Sequence, residues 1–478
     1  MRILDETKPY FKYFEDLTTI PHGSYNEKQL ADYIEEFAKR NKLHYIRDNM
    51  DNLIIYKDGQ GGLENHDPVM LQGHIDMVNE KNNNSNHDFN KDPLDLYIED
   101  GWLKARGTTL GADDGVAVAY MLALLENKEV KHPPLDCVFT VQEEVGLFGA
   151  ANIKKKDIRA RRMINMDSGG ETVTSVSSSG GRRTIISKDY TTQVNSDITY
   201  SLDITGLLGG HSGGCIHLER GNANKLAFRI LHDLLISNVS IRLVNIFGGL
   251  KENAIPREAT ITFTTNENKT RLMTLFEQSA SKIKTELEFS DAQFNATLKQ
   301  TRTASTAIDQ KTSADIIRMV FLMPNGFKAR SMKIEGLTTV SLNLGVMRLE
   351  NGKFNLYYAT RSPMASAIEQ LSNEIDEIAS IFHATTAHMA DYPGWNYEEH
   401  SPLRKTMKEM VKEFFNTTLE EHAAHGGLET GTFKGEIPEM DIVTFGPISK
   451  NAHTPDECLN LESFERCYYA LCDFLARL

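Results

Sequence analysis

The sequence lacks several features that mark membrane, secreted and nucleic-acid-binding proteins. Its longest strongly apolar run, VAVAYMLALL at 116–125, is too short to span a bilayer. The opening residues MRILDETKPYFKYF carry charges where a signal peptide needs an apolar segment, so we expect a cytoplasmic protein with no membrane partner. Basic residues number 52 against 66 acidic ones, and the net charge of −14 argues against a nucleic-acid partner.

Cysteine is also scarce. The five cysteines are odd in number and form no C-x-x-C pair, which argues against a disulfide framework and against a thiolate zinc site. We expect them to be buried free thiols. What remains is ordinary for a globular protein, with 40% hydrophobic and 25% charged residues, and a length of 478 residues favours two domains.

Apolar segments alternate with helical patterns in the first part of the chain. PVMLQGHIDMV, LDCVFTVQEEVG and RRMINMDSGG read as buried strands, and GVAVAYMLALLEN between the first two reads as a helix. The Ser-x-x-Glu spacing of SYNE at 24–27 predicts a capping box that starts an earlier amphipathic helix. We therefore expect an α/β fold with a largely parallel mixed sheet covered by helices.

The pattern changes near residue 188. A polar alternating strand, DITYSLDITG, precedes a helix from about 222, strands near 240 and 258, and a helix from about 270. A similar order returns between about 312 and 387. We predict a first domain formed by residues 1–187 and 391–478, and an inserted α+β domain at 188–390 with a duplicated ferredoxin-like pattern.

Metal-type ligands follow three of the predicted strands. They are His74 with Asp76, Glu143 with Glu144, and Asp167. The carboxyl ends of parallel strands meet at one edge of a sheet, so these side chains should gather there. Taken singly, each has an ordinary structural explanation as a capping pair or a solvated turn. Together they would be costly to bury without a counter-ion, which favours a metal site.

The chemistry of this set fits hydrolysis at two metal ions. Carboxylates and imidazoles without cysteine suit zinc, manganese or cobalt, and Asp113 in GADDG can supply a bridging carboxylate. Glu143, beside a ligand, suits a general base. Asp76 can accept the N–H of His74 and fix its tautomer. His453 in SKNAHTPDE is a candidate further ligand, with an ordinary loop histidine as the alternative.

The sequence resembles the di-zinc aminopeptidase and carboxypeptidase superfamily, and within it the aminoacyl-histidine dipeptidases, a carnosinase-like branch. The segments that carry the resemblance are LQGHIDMV, GTTLGADDGVAVA, VQEEVGLFGA, NMDSGG, GGHSGG with RGNANK, ATRSP, HGGLETG and NAHTPDE. The resemblance implies two zinc ions per chain, with cobalt or manganese as substitutes, and a cis peptide bond after the bridging aspartate. The implied ligands are His74 and Asp167 for one ion, Glu144 and His453 for the other, and Asp113 between them.

The resemblance also implies that the inserted domain is a lid that carries substrate contacts. His211 in GGHSGG would stabilise the oxyanion, and Arg361 in ATRSP would pair with the free carboxylate of the substrate. Asn253 is a further candidate, and Glu429 in HGGLETG would read the substrate amine from the rim. Thr430 stands where we expect a cysteine, a departure that concerns specificity and leaves the metals unaffected.

These observations predict a cytosolic metallo-dipeptidase that hydrolyses Xaa-His and other dipeptides by attack of a zinc-bridging hydroxide, with Glu143 as general base and Asp76 as the residue that orients His74. Two alternatives stay open. The same dinuclear site could serve an N-acyl amino acid deacylase or a tripeptidase, or the chain could be a catalytically silent peptide-binding homologue. The expected partner is a dipeptide, and a homodimer is compatible with the sequence.

Overall fold

The structure is a computed structural model that describes residues 2–478. The chain forms two compact units. Unit 1 comprises the residues up to Ser178 together with Trp395–Ala423 and Leu428–Leu478, and unit 2 comprises Ser179–Gly394 and Ala424–Gly427. Within residues 2–478, no helix is both long and apolar enough to cross a membrane.

Unit 1 begins with four helices and eight strands. The helices are α1 (Pro9–Leu17), α2 (Lys28–Arg40), α3 (Ala112–Glu126) and α4 (Phe148–Asn152), with a 3₁₀ turn at Lys155–Asp157. The strands are β1 (His44–Arg47), β2 (Leu53–Lys57), β3 (Val69–His74), β4 (Leu96–Glu99), β5 (Trp102–Ala105), β6 (Leu135–Thr140), β7 (Arg162–Asn165) and β8 (Val173–Ser175).

Unit 2 follows with thirteen strands and four helices. The strands are β9 (Gly180–Asp189), β10 (Thr192–Val194), β11 (Ile198–Thr205), β12 (Gly210–His211), β13 (Arg242–Gly248), β14 (Ala254–Ile255), β15 (Ala259–Thr265), β16 (Asn295–Gln300), β17 (Thr306–Ile308), β18 (Gly326–Arg330), β19 (Thr338–Glu350), β20 (Lys353–Ser362) and β21 (Thr385–Tyr392). The helices are α5 (Ala223–Ile236), α6 (Lys269–Glu286), α7 (Gln310–Leu322) and α8 (Ala365–Ile381), with a 3₁₀ turn at Ile216–Leu218.

The chain then returns to unit 1 with its last helices and strands. These are α9 (Pro402–Phe414), β22 (Glu420–His422), α10 (Glu429–Glu436), β23 (Asp441–Thr444), β24 (Ser449–Lys450), β25 (Cys458–Asn460) and α11 (Leu461–Ala476).

The main sheet of unit 1 has the strand order β1-β2-β6-β3-β7-β23. Strands β6, β3, β7 and β23 run parallel, and β1 and β2 add an antiparallel edge. Every residue of β3 and β6 is buried. Neighbouring residues of β3 point to opposite faces, so Leu71 packs with α1, α2, α3 and α11 while Met70 packs in a second cluster with Phe433 and Trp395. The sheet is covered on both faces, as predicted.

The predicted capping box at residues 24–27 is wrong. Helix α2 begins at Lys28, and its N-cap residue Glu27 makes no side-chain capping bond. Ser24 Oγ instead donates to Asp76 Oδ2 at 2.8 Å, and Glu27 Oε1 accepts from the main chain of Gln142 at 3.2 Å. The spacing fits a capping box, but Ser24 binds Asp76 and Glu27 binds the main chain of Tyr25 and Gln142 instead.

The main sheet of unit 2 contains two ferredoxin-like halves. In the first half β11, α5, β13, β15, α6 and β16 follow one another along the chain, and the strands lie in the order β16-β11-β15-β13. The second half has the order β19-β20-β9-β21, and the two halves join where β13 pairs with β19. The duplicated pattern predicted from the sequence is therefore present.

The first strand of the second half is β9, which precedes the whole first half in the chain. It pairs with β20 on one side and β21 on the other, within unit 2. The boundary predicted at residue 188 falls inside this strand, whereas unit 2 begins at Ser179. The predicted boundary lies beyond the start of unit 2 because the strand β20 that pairs with β9 lies more than 160 residues further along the chain. No local pattern therefore assigns β9 to unit 2.

Candidate metal centre

The predicted site residues of unit 1 lie where three parallel strands end. His74 is the last residue of β3, Glu143 follows the end of β6, and Asp167 follows the end of β7. Strand β3 pairs in parallel with both β6 and β7, so the three ends share one edge of the sheet. A fourth group, Asp113, lies in the first turn of α3, and His453 lies in the loop between β24 and β25.

Asp113 lies between two histidines. Its Oδ1 is 3.0 Å from His74 Nε2, and its Oδ2 is 3.1 Å from His453 Nε2. His453 Nε2 is also 2.7 Å from Glu144 Oε1. One carboxylate therefore faces two separate sets of ligands, which is the arrangement that a bridging carboxylate needs.

Three groups of side chains in this cluster can hold a metal ion. Within each group the candidate ligand atoms lie within 4.8 Å of one another. The groups are His74 with Asp113 and Asp167, Asp113 with Glu144 and His453, and His74 with Glu143 and Glu144. The first two share Asp113, so this donor set of imidazoles and carboxylates fits two neighbouring divalent cations.

Charge crowding in the cluster perturbs the pKa values of its members. Burial and repulsion from Asp113 raise the pKa of Asp167 to about 7. Burial raises the pKa of Glu143 well above its usual range, with repulsion from Asp167 adding to it. Hydrogen bonds to Asp113 and Glu144 raise the pKa of His453 to about 10. The carboxylates outnumber the histidines, and cations would offset that excess of negative charge.

The second ring nitrogen of His74 is held by the main chain of Asp76. Nδ1 lies 2.9 Å from the carbonyl oxygen of Asp76 and 3.5 Å from its carboxylate Oδ1. The carbonyl accepts the Nδ1 proton, so in the neutral ring Nε2 is the nitrogen that can bind a metal ion beside Asp113. The sequence predicted the carboxylate as the acceptor, and the nearer acceptor in the structure is the carbonyl group of the same residue.

The carboxylate of Asp76 has a different set of partners. It accepts the main-chain N–H groups of Glu143 at 3.0 Å and Glu144 at 3.3 Å, and the hydroxyl of Ser24 at 2.8 Å. Asp76 is 1% exposed, and its pKa is lowered because these bonds and the neighbouring His74 outweigh burial. One residue thus connects a candidate ligand to the loop that carries the candidate base.

Comparison with known proteins identifies the family. The model of "Peptidase family M20/M25/M40" matches residues 70–477, a span that includes every candidate ligand. The chain belongs to peptidase family M20/M25/M40. Its membership makes this M20 peptidase a hydrolase of peptide bonds.

Two relatives match almost the whole of this M20 peptidase. The cytosol non-specific dipeptidase of Escherichia coli (strain K12) is 35% identical over 480 residues, which is 98% of each chain. The crystal structure of aminoacylhistidine dipeptidase from Vibrio alginolyticus superposes with a TM-score of 0.91 at 34% identity, over 98% of this chain and 96% of that one.

A more distant solved structure shares only the fold. Aminopeptidase PepT from Bacillus cereus ATCC 10987 superposes with a TM-score of 0.56 at 13% identity, over 100% of this chain and 99% of the other. The fold class predicted from the sequence is confirmed by these comparisons.

Unit 2 of this M20 peptidase brings three predicted substrate contacts into one neighbourhood. Arg361 is 9% exposed, and its Nη1 donates to Tyr392 Oη at 3.0 Å while its Nε donates to Ser212 Oγ at 3.4 Å. The main-chain N–H of Ser212 in turn donates to the carbonyl of Asn253 at 2.8 Å. His211 precedes Ser212, and burial together with the charge of Arg361 lowers its pKa.

Glu429 is not the rim residue that the sequence predicted. It begins α10 in unit 1 and is 1% exposed. Its Oε2 accepts from Gln72 Nε2 and, at 2.8 Å, from Thr140 Oγ1, and burial raises its pKa to about 7. The resemblance implied a rim position, but the first turn of α10 packs against the main sheet and buries the carboxylate there. Its neighbour Thr430 is also buried.

Sequence reasoning missed Glu457, the last residue of NAHTPDE. Its carboxylate, 3% exposed, accepts four successive main-chain N–H groups, those of residues 110–113, at 2.7, 3.1, 2.9 and 3.3 Å. Glu457 therefore fixes the chain that carries Asp113. The motif contains the signal, an acidic residue four positions after His453, but nothing local identifies a partner 347 residues away. The expected cis bond between Asp113 and Asp114 is confirmed.

Proposed function

We propose that this chain is a cytoplasmic metallo-dipeptidase that hydrolyses Xaa-His and other dipeptides with two zinc ions. The observation that carries the proposal is the pair of ligand groups that share Asp113, with Glu143 beside them. The 35% identity to a cytosol non-specific dipeptidase over 98% of the chain supports the dipeptide substrate. The likeness to an aminoacylhistidine dipeptidase supports the Xaa-His preference.

Five residues are assigned to the metal ions in this proposal. His74 and Asp167 would hold one ion, Glu144 and His453 would hold the other, and Asp113 would contribute to both. When bound, two such ions would supply polarisation of the scissile carbonyl and a lowered pKa for the attacking water. Cobalt or manganese would suit the same oxygen and nitrogen ligands.

Glu143 is assigned as general base. It accepts a proton from the attacking water and delivers it to the nitrogen of the leaving amine. Its carboxylate lies in one ligand group with His74 and Glu144, so it is close to ligands of both ions. Its main-chain N–H is bound by Asp76, so the start of its side chain is fixed before substrate arrives.

His211 and Arg361 are assigned to the substrate. His211 Nδ1 accepts the main-chain N–H groups of Gly213 at 3.2 Å and Gly214 at 3.3 Å, so the ring proton resides on Nε2. That N–H is a donor suited to an oxyanion. Arg361, held by Ser212 and a tyrosine hydroxyl, is suited to bidentate binding of the carboxylate that every dipeptide carries.

The test is hydrolysis of β-Ala-His, Gly-His, Leu-Gly and Gly-Gly-Gly by zinc-loaded protein. We expect turnover of the dipeptides, little turnover of the tripeptide, and loss of at least about 10³-fold in kcat for Glu143→Ala. Glu288→Ala, at an exposed position of unit 2, is the control for handling and metal loading. Wild-type protein that binds two metal ions and cleaves none of the dipeptides would overturn the proposal, and preferential tripeptide cleavage would replace it with a tripeptidase.

A further inference from the structure

The loop that carries Glu143 is held by side chains at four successive main-chain N–H groups. Val141 N–H donates to Asn52 Oδ1 at 3.0 Å, and Gln142 N–H donates to Glu27 Oε1 at 3.2 Å. The next two N–H groups, of Glu143 and Glu144, donate to the two carboxylate oxygens of Asp76. The three side chains come from separate segments of unit 1, so they fix this loop from different directions.

Asn52 holds both ends of the loop. Its Nδ2 donates to the carbonyl of Gly149 at 3.0 Å, while its Oδ1 accepts from Val141. Gly149 N–H also donates to the carbonyl of Val141 at 3.0 Å, which closes the loop at its neck. A Cβ at Gly149 would lie 2.1 Å from the Val141 carbonyl oxygen and 2.6 Å from Asn52 Oδ1, so the neck is packed too tightly for a larger residue.

Asn52 is itself fixed before it reaches the loop. Its main-chain N–H donates to Asp48 Oδ1 at 3.0 Å, and its Nδ2 also donates to Asp48 Oδ2 at 2.7 Å. It is 1% exposed, and its side-chain hydrogen-bonding groups are all directed to protein partners. An amide buried with its donors and acceptor satisfied has one low-energy orientation, which makes it a rigid support.

Glu27 holds the second N–H of the loop from the start of α2. Its Oε1 also accepts from Tyr25 N–H at 3.0 Å, and the residue is 5% exposed. Burial raises its pKa, so its charged form depends on these N–H donors. Gln142 has a positive φ of 54°, a conformation that an unsupported glutamine would rarely adopt.

We propose that Glu27 and Asn52 are positioning residues that hold the loop 141–149 so that Glu143 points at the substrate. The inference rests on the proposed role of Glu143 as general base. Asp76 contributes to the same loop but also contacts His74, so changing it would disturb a ligand as well. The loop bonds of Glu27 and Asn52 go to main-chain groups, which lets them be tested without altering a ligand side chain.

The first measurement is amide hydrogen exchange, which does not depend on turnover. Glu27→Ala is expected to speed exchange at Gln142 by at least about tenfold, and Asn52→Ala to do the same at Val141. Glu27→Gln keeps a carbonyl oxygen at the same place and is expected to restore most of the protection. Wild-type exchange rates at both amides in the alanine variants would overturn the inference, whether or not the protein is active.

The second measurement is steady-state kinetics at saturating zinc, with metal content checked for each variant. Both alanine variants are expected to lower kcat at least about tenfold with KM changed less than about twofold, because small displacements of a base weaken the transition state. Glu27→Gln is expected to remain within about threefold of the wild-type kcat. Faster hydrogen exchange at the loop amides together with an unchanged kcat would overturn the inference.

The matched control is Asp136→Asn, at the opposite end of β6. Asp136 is 0% exposed and its Oδ2 accepts the N–H groups of Arg159 at 2.7 Å and Ala160 at 2.9 Å, so it is a comparable buried acceptor far from the loop along the strand. Asp136→Asn should lower Tm without changing kcat or the hydrogen exchange rates of the loop amides. An equal loss of kcat in this control would assign the effect to general destabilisation. Wild-type protein inactive on every dipeptide would instead overturn the proposed function.

Discussion

At the residue scale, Glu457 shows how one carboxylate can shape the candidate metal centre through main-chain hydrogen bonds alone. Its two oxygens accept four successive N–H groups, and the last of these belongs to Asp113. Carboxylates that accept several N–H bonds are strongly stabilised in the charged form, but burial acts in the opposite direction and leaves the pKa of Glu457 raised. The charged form of the Glu457 carboxylate therefore depends on all four N–H donors.

We predict that Glu457→Gln weakens metal binding. The glutamine keeps one oxygen but directs an NH₂ group at two of the four N–H donors, which should displace Asp113. Loss of a group that orients a ligand in this way costs roughly 10–100-fold in metal affinity. Zinc affinity measured by competition with a chelator tests this, and Glu462→Gln, an exposed change in the first turn of α11, is the control. An unchanged zinc affinity would show that Asp113 does not need Glu457 to hold its position.

His132 is a second residue, and its burial makes the stability of the protein depend on pH. It is 0% exposed, its Nδ1 donates to the carbonyl of Pro133 at 2.7 Å, and burial lowers its pKa to about 4. The unfolded chain binds this proton below about pH 6.5, whereas the folded protein binds it only below about pH 4. Between these values the unfolded state binds more protons, so stability falls as the pH falls.

We predict that His132→Asn reduces the loss of stability between about pH 6.5 and pH 4. The pKa difference corresponds to about 3 kcal/mol across the window, which the uncharged asparagine would not contribute. Urea unfolding at a series of pH values measures the effect. His400→Asn, at an exposed position of unit 1, should leave the slope unchanged. Parallel pH profiles for wild type and His132→Asn would contradict the assignment.

At the scale of elements, the sequence predicted most of what depends on local pattern. The buried strands β3, β6 and β7 and helix α3 follow from apolar runs, and the candidate ligands follow from the polar residues at the strand ends. The loop support from Glu27 and Asn52 could not be predicted, because its partners lie 115 and 89 residues away in sequence. Ser24 and Glu27 have the spacing of a capping box, but in the folded protein their side chains bind other groups.

The packing of α3 on β3 depends on a glycine. A Cβ at Gly73 would lie 2.3 Å from the Cβ of Ala117 and 2.4 Å from Asp114 Oδ2. We predict that Gly73→Ala separates helix from strand and lowers the free energy of unfolding by about 1–3 kcal/mol. Chemical denaturation measures this. Gly169→Ala, whose Cβ would meet only Ser449 Oγ at an ordinary 3.5 Å, is the control, and equal losses in both variants would rule out the packing explanation.

At the scale of the whole molecule, each unit has a hydrophobic core of its own. The large cluster of unit 1 includes residues from α1, α3 and α11, and that of unit 2 includes residues from α5, α7 and α8. The candidate metal ligands all belong to unit 1. A ligand that binds only the folded state stabilises the unit that holds it.

We predict that metal removal lowers the melting temperature of one unit only. Calorimetry of zinc-loaded protein should resolve two transitions, and a chelator should shift just one of them, by several degrees. The Glu457→Gln variant shows whether the shifted transition is the unfolding of unit 1. In this variant the difference in melting temperature between zinc-loaded and chelated protein should be smaller than in the wild type. A single transition, or equal shifts in two, would contradict the independent behaviour of the units.

The separation of the ligands along the chain has a consequence for protein synthesis. His453 stands 340 residues after Asp113, and all of unit 2 except Ala424–Gly427 is translated between α3 and α9. A polypeptide that terminates anywhere in unit 2 holds His74, Asp113 and Asp167 but lacks the residue that completes the second group. Such a fragment therefore lacks one of the five side chains assigned to the two ions, so we expect it to have no dipeptidase activity.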